Sequence, residues 1–223
     1  MGCLPDDPQA KRYTGGLKLM TDRTLRIAGV CSLLAIPALI LSAIFLALFF
    51  GGAGWLFGPL NDFFVAVMTG LLILPARSLL DVVVGGRPDM RWFRIVTWAA
   101  IAGLAIMTIG QMLLVVGLIS LNASFVALSL GVVPVLVWAA AQVYLALRFR
   151  TPSRVVGWTL IALLATAGFA TAASAVQSDM ATWSSTIALV VALAGYFAVL
   201  GRELLRHEEG GKVFERQARM SGG

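Results

Sequence analysis

Long apolar runs, separated by short polar segments, are the main pattern along this chain. No charged residue interrupts the run from Ile27 to Phe50, and none occurs between Ile95 and Leu147. A helix needs about 20 apolar residues to cross the hydrocarbon core of a bilayer, which is roughly 30 Å thick. The first run therefore predicts one membrane-spanning helix, while the second is long enough for two.

Glycine and capping residues indicate where the apolar helices begin and end. Consecutive glycines after Phe50 favour coil, and the segment Ser120 to Ser124 divides the longest charge-free stretch near its middle. Asn61 and Asn122 are candidate N-caps, because their side-chain oxygens can accept amide hydrogens of a first turn. The pattern predicts an all-α fold, a polytopic membrane bundle of about six transmembrane helices near 27–50, 62–80, 95–119, 123–147, 155–176 and 180–201.

Two polar tails flank the predicted six-helix transmembrane domain at 25–201. Residues 1–24 contain prolines and glycines and predict a flexible N-terminal tail, in which Met20 is an alternative start. Residues 202–223 form a charged C-terminal tail. We expect its short helical start to be interrupted at Gly210-Gly211, because glycine favours coil over helix.

Basic residues divide the predicted loops into two classes. All 17 Lys and Arg residues lie in the two tails or beside the loops that follow helices two and four. An excess of Lys and Arg is typical of cytoplasmic loops. Six spans with both termini in the cytoplasm obey this rule throughout, whereas five or seven spans would place basic flanks on the wrong side. The basic residues are Lys11, Arg12, Lys18, Arg23, Arg26, Arg77, Arg87, Arg91, Arg94, Arg148, Arg150, Arg154, Arg202, Arg206, Lys212, Arg216 and Arg219.

Composition supports the membrane class and excludes a soluble domain. The chain is 59% hydrophobic and 13% charged, whereas soluble domains carry roughly 25% charged residues. Its net charge of +6 does not indicate nucleic-acid binding, because the basic residues are spread over separate helix flanks. Such flanks attract anionic lipid headgroups instead, so we expect the bilayer and its inner-face headgroups as partners, and no nucleic acid.

Three polar residues form a candidate polar pocket in the outer half of the predicted bundle. Asp62 has no basic neighbour on its side of the membrane, and Gln111 and Asn122 lie at nearby depths. Ionisable residues inside membranes are costly and indicate function, so Asp62 is a candidate proton or cation site. The alternative is an interfacial residue in the first helical turn, which the preceding Pro59 favours. For Gln111 the alternative is a hydrogen bond between helices.

Small residues on helix three predict a packing surface. Gly103, Gly110 and Gly117 recur at an interval close to two helical turns, so all three should line one face. Such a face lets a neighbouring backbone approach closely, as in other small-residue motifs of membrane helices. We therefore expect helix three to be central in the bundle.

Prolines lie in the middle of the first and fourth predicted spans. Pro37 and Pro134 each remove a backbone donor, and both are expected to kink their helices. Kinks at matching depths are found in transporters built from inverted repeats. The two halves show no other residue-level match, so an inverted repeat is the less favoured interpretation.

Motifs for catalysis or cofactor binding do not occur in the sequence. His207 is the single histidine, and no set of His, Cys and Glu has the spacing of a zinc site. We find no nucleophile elbow, phosphate-binding loop or dinucleotide fingerprint. We therefore expect no catalytic residue, no bound metal and no cofactor, and predict that the protein is not an enzyme.

Two functions from different classes fit these observations. The first is a non-catalytic membrane subunit or interaction protein, whose partner is another membrane protein or a second copy of the chain. The alternative is a small permease or channel with an outward-facing polar cavity around Asp62 and Gln111. The abundance of Arg, Ala and Gly indicates a bacterial source, and the expected location is the cytoplasmic membrane.

Overall fold

The computed structural model describes residues 22–52, 54–84, 90–149, 153–175 and 179–221, with side chains for 23–52, 54–84, 90–149, 153–172 and 183–207. This described part forms six helices, each containing a segment long and apolar enough to cross a membrane. The predicted all-helical fold with six such segments is therefore confirmed. Residues 1–21 of the predicted N-terminal tail lie outside the described residues. The helices are α1 (Asp22–Phe50), α2 (Phe57–Val84), α3 (Arg91–Val115), α4 (Leu121–Phe149), α5 (Arg154–Ala175) and α6 (Asp179–Ser221).

The six helices form a closed ring. Each helix packs against its neighbours in chain order, α1 packs against α6, and α2 also touches α6 across the interior. We call the end with the α1–α2, α3–α4 and α5–α6 connections the neutral end, because those connections contain no Lys or Arg. The opposite end, where the Lys and Arg residues gather, is the basic end. Helix α3 is one member of the ring and not its centre, contrary to expectation.

Apolar side chains fill the ring and also cover its outer surface. Large residues such as Ile95, Leu130 and Val191 remain 70%, 63% and 65% exposed. A water-soluble monomer rarely exposes apolar area on this scale, whereas a bilayer solvates it. The interior of the basic half is closed by Leu79, Leu80, Phe93, Leu145, Phe197 and Leu200, which are all buried.

Helix α2 begins at Phe57, five residues before the predicted start at Asp62. Pro59 fits within the first turn, because the amide hydrogens of that turn have no partner inside the helix. Asn61 and Asp62 therefore lie inside the helix, and the predicted N-cap at Asn61 is wrong. The helix also continues to Val84, four residues past its predicted end at residue 80.

The connection between α3 and α4 explains two further differences from the predicted pattern. Gly117 lies beyond the end of α3 with a φ of +73°, and its amide donates to the Leu114 carbonyl at 3.0 Å. The Leu118 amide donates to the Leu113 carbonyl at 2.9 Å, which completes a Schellman motif. Gly117 therefore ends the helix and does not extend the packing face of Gly103 and Gly110.

Ser120 precedes α4, and its side-chain oxygen accepts the Ala123 amide at 3.4 Å. Asn122 lies inside the first turn and is exposed, so the predicted cap at Asn122 is wrong.

Helix α6 is the longest element and runs past the predicted end of the last span. Its backbone is helical from Asp179 to Ser221 and continues through Gly210-Gly211, where an interruption was expected. The segment suited to a membrane is Trp183–His207. The remaining turns extend the helix beyond the basic end.

Candidate polar site at the neutral end

A chain of hydrogen bonds joins α1 and α2 near the neutral end. The Ser42 hydroxyl donates to Asn61 Oδ1 at 2.7 Å, and Asn61 Nδ2 donates to Asp62 Oδ1 at 3.2 Å. Ser42 is buried, whereas Asn61 and Asp62 are half-buried. The amide of Asn61 thus links a buried hydroxyl to the single carboxylate that the described side chains place in this half of the bundle.

The helical repeat places Asp62 on an interior face of α2. Ala66 and Thr69 follow it at the spacing of one and two turns, and both are 1% exposed. A residue that shares this face is directed towards the bundle and not towards the lipid. This placement differs from the interfacial first-turn residue that was the alternative interpretation of Asp62.

Two hydroxyls meet between α2 and α3, nearer the middle of the bundle. Thr69 Oγ1 and Thr108 Oγ1 lie 2.9 Å apart, and either oxygen can be the donor. Thr69 also donates to the Val65 carbonyl at 3.0 Å, and Thr108 donates to the Leu104 carbonyl at 2.8 Å. Because each hydroxyl has one hydrogen, one threonine can donate across the pair while the other donates to a carbonyl of its own helix.

Gln111 lies one turn beyond Thr108 towards the neutral end. Its side chain is 7% exposed, and Oε1 has no hydrogen-bond partner among the described residues. No hydrogen bond joins it to Asp62 in the described part of the chain. Asn122, the third predicted pocket residue, is exposed, and α4 contributes the buried Ser124 instead. The polar cavity around Asp62 and Gln111 therefore stays a prediction.

A groove is present on the outer surface of α4, and it is apolar. It has a volume of about 590 Å³ and lies on the neutral side of the Pro134 turn. Its lining differs in character from the polar pocket expected from the sequence. The lining residues are Phe125, Val126, Ser129, Leu130, Val133 and Pro134.

Close backbone contacts hold α3 against α4. A Cβ on Gly103 would lie 2.8 Å from Pro134 Cγ, and a Cβ on Gly110 would lie 2.9 Å from the Ala127 Cβ. The predicted small-residue face is thus used at these two positions. The partner glycine on α4 is Gly131, which lies one turn before Pro134. It was not identified from the sequence, although the sequence contains this spacing.

Helices α1 and α6 also meet through a close contact between two glycines. A Cβ on Gly29 would lie 3.0 Å from the Gly201 carbonyl oxygen, and one on Gly201 would lie 2.9 Å from the Gly29 carbonyl oxygen. The Ser32 hydroxyl donates to the Phe197 carbonyl at 2.9 Å beside this contact. Sequence reasoning missed this pair, because the two glycines belong to the first and last helices.

The chemistry of the buried polar residues is uniform. Among the described residues, the buried side chains with polar atoms are those of Ser, Thr, Gln, Trp and Tyr, and none is Asp, Glu, Lys, Arg or His. No group of three His, Cys, Asp or Glu residues suited to a metal ion occurs in the same part of the chain. The described interior can therefore donate and accept hydrogen bonds, and Asp62 is the half-buried acid at its neutral end.

Compared with known proteins, the chain matches no family model, no curated protein and no solved structure.

Proposed function

We propose that the protein is a non-catalytic membrane subunit or interaction protein in the cytoplasmic membrane of a bacterium, with both termini in the cytoplasm. The observation that supports this proposal is that no Asp, Glu, Lys, Arg or His side chain is buried in the described interior. Catalysis and proton-coupled transport within a membrane normally use such groups. The glycine contacts at two seams and the closed basic half favour a rigid bundle that presents its outer faces and tails to a partner.

Gentle purification from the native membrane tests this proposal. The tagged protein is extracted in a mild detergent, and co-eluting proteins are identified and quantified by mass spectrometry. We expect one membrane protein, or a second copy of the chain, at a constant ratio. A tagged, unrelated six-helix protein of similar abundance controls for nonspecific co-elution. A lone monomeric species at every detergent concentration would contradict the proposal.

A small permease is the second candidate, and the position of Asp62 favours it. Asp62 shares the interior face of α2 and is hydrogen-bonded to Asn61, which in turn accepts from Ser42 on α1. A carboxylate in such a position can bind a proton or a cation that enters from the neutral end.

Flux measurements in liposomes test this second candidate. We expect a pH-dependent flux of protons or monovalent cations in the wild type, and its loss in Asp62→Asn. Asp81→Asn is a matched control, because Asp81 is also half-buried on α2 but lies near the basic end and is paired with Arg77 at 3.6 Å. Equal flux in the wild type and Asp62→Asn would exclude Asp62 as the transport site.

A further inference from the structure

Two buried donors on α4 have no acceptor in the described part of the chain. These donors are the indole Nε1 of Trp138 and the amide Nε2 of Gln142. Their side chains are only 5% and 1% exposed. A buried N–H group without an acceptor is unfavourable, and the hydrocarbon tails of lipids cannot supply an acceptor. The two N–H groups therefore indicate a site at which the protein can donate hydrogen bonds to a bound molecule.

The two donors belong to one cluster between α4 and α6. Trp138 and Gln142 are neighbours on one face of α4, separated by a single helical turn. From α6, the Tyr196 hydroxyl donates to Gln142 Oε1 at 3.1 Å. At about 1.5 Å of rise per residue, Trp138 and Gln142 lie roughly 16 Å and 10 Å from the basic end of α4. The cluster therefore lies well inside the membrane and apart from Asp62.

Donors outnumber acceptors in this cluster whichever way the Gln142 amide is oriented. The indole has one N–H, the amide has two, and the Tyr196 hydroxyl adds one more. The acceptor atoms of the cluster are the Gln142 carbonyl oxygen and the Tyr196 oxygen. Reversing the amide changes which atom faces Tyr196, but the cluster keeps more donor atoms than acceptor atoms.

We propose that Trp138, Gln142 and Tyr196 bind a small neutral oxygen acceptor between α4 and α6. The acceptor is neutral, because no Lys, Arg or His side chain is buried in the described interior to balance an anion. Water and the carbonyl oxygen of a lipophilic molecule share this chemistry. Leu145, Phe197 and Leu200 belong to the same buried apolar core as Trp138 and Tyr196, which favours a ligand that places a single oxygen there.

The indole N–H of Trp138 reports directly on such an acceptor. The full chain is labelled with nitrogen-15 in its indole rings and placed in lipid nanodiscs, where its six tryptophans give separate signals in a proton–nitrogen spectrum. Trp138→Phe assigns the signal. We expect it to be shifted downfield, and to move upfield in Gln142→Met, because the site has lost two donors. Gln111→Met is the matched control, since Gln111 is also a buried glutamine but lies near the neutral end, and it should leave the signal unchanged.

Two results support the site and identify its occupant. Magnetisation transfer from water to the indole proton identifies water. A downfield signal without such transfer, together with a stoichiometric carbonyl compound in an organic extract, identifies a lipophilic ligand. An upfield signal typical of a free indole in the wild-type protein would overturn the proposal. So would a downfield signal with neither water transfer nor an extracted compound, because a protein group would then be the acceptor.

Discussion

Gly103 of α3 and Gly131 of α4 meet backbone to backbone, since a Cβ on either glycine would lie 2.6 Å from the carbonyl oxygen of the other. No heavier residue fits at this crossing without separating the helices. Pro134 lies against Gly103 in the same contact, so a proline on one helix packs on a glycine of the next. In lipid, where apolar contact alone does not drive helices together, such close packing is a main source of association.

Alanine at either glycine of this crossing should destabilise the bundle. We expect Gly131→Ala and Gly103→Ala each to lower the free energy of unfolding by about 1–3 kcal/mol, the usual cost of overpacking. Thermal or denaturant unfolding in detergent measures the effect. Gly168→Ala is the control, because an added Cβ there meets nothing within 4 Å. Equal stability of Gly131→Ala and Gly168→Ala would show that the helices are not in close contact.

The closure of the ring should depend on Gly201. An added Cβ would lie 2.9 Å from both the Gly29 carbonyl oxygen and Leu33 Cγ, so Gly201→Ala must move α6 away from α1. We expect faster hydrogen–deuterium exchange in both helices. Gly195→Ala on the same helix has open space around the new methyl group and should leave exchange unchanged. Faster exchange confined to α3 and α4 would contradict this pairing of helices.

The contact between Thr69 and Thr108 should contribute modestly to stability. A double-mutant cycle with Thr69→Val and Thr108→Val isolates the interaction between the two hydroxyls. We expect a favourable coupling energy below about 2 kcal/mol, because interhelical hydrogen bonds in membranes fall in this range. Either hydroxyl can donate to a carbonyl of its own helix instead of to the other threonine, which limits the effect further. A coupling energy of zero would mean that the two helices do not meet through these groups.

The proposed orientation can be tested by cysteine labelling in intact cells. In a background without Cys3 and Cys31, Trp55→Cys lies at the neutral end and His207→Cys at the basic end, and both original side chains are exposed. A membrane-impermeant maleimide should label Trp55→Cys directly and His207→Cys only after permeabilisation. The opposite pattern would reverse the topology and move Asp62 to the cytoplasmic side.

Sequence reasoning located the helices well and their ends less well. The apolar runs predicted six membrane-compatible segments, since helix length in a membrane is set by a local quantity, the number of consecutive apolar residues. The cap at Asn61 was wrong, because Pro59 is compatible with a first turn as well as with the segment before a helix. Gly117 shared the spacing of Gly103 and Gly110, but its left-handed backbone places it at a helix end.

The chain's sequence by itself determined its class, its helices and the separation of a basic from a neutral end. These properties depend on residues that are close together along the chain. The tertiary structure alone decided that α1 closes on α6 through Gly29 and Gly201, and that Asp62 shares the interior face of α2. It also decided that Tyr196 reaches Gln142 beside Trp138. Such contacts depend on the rotation and depth of each helix against its neighbours, and packing across the whole ring sets both.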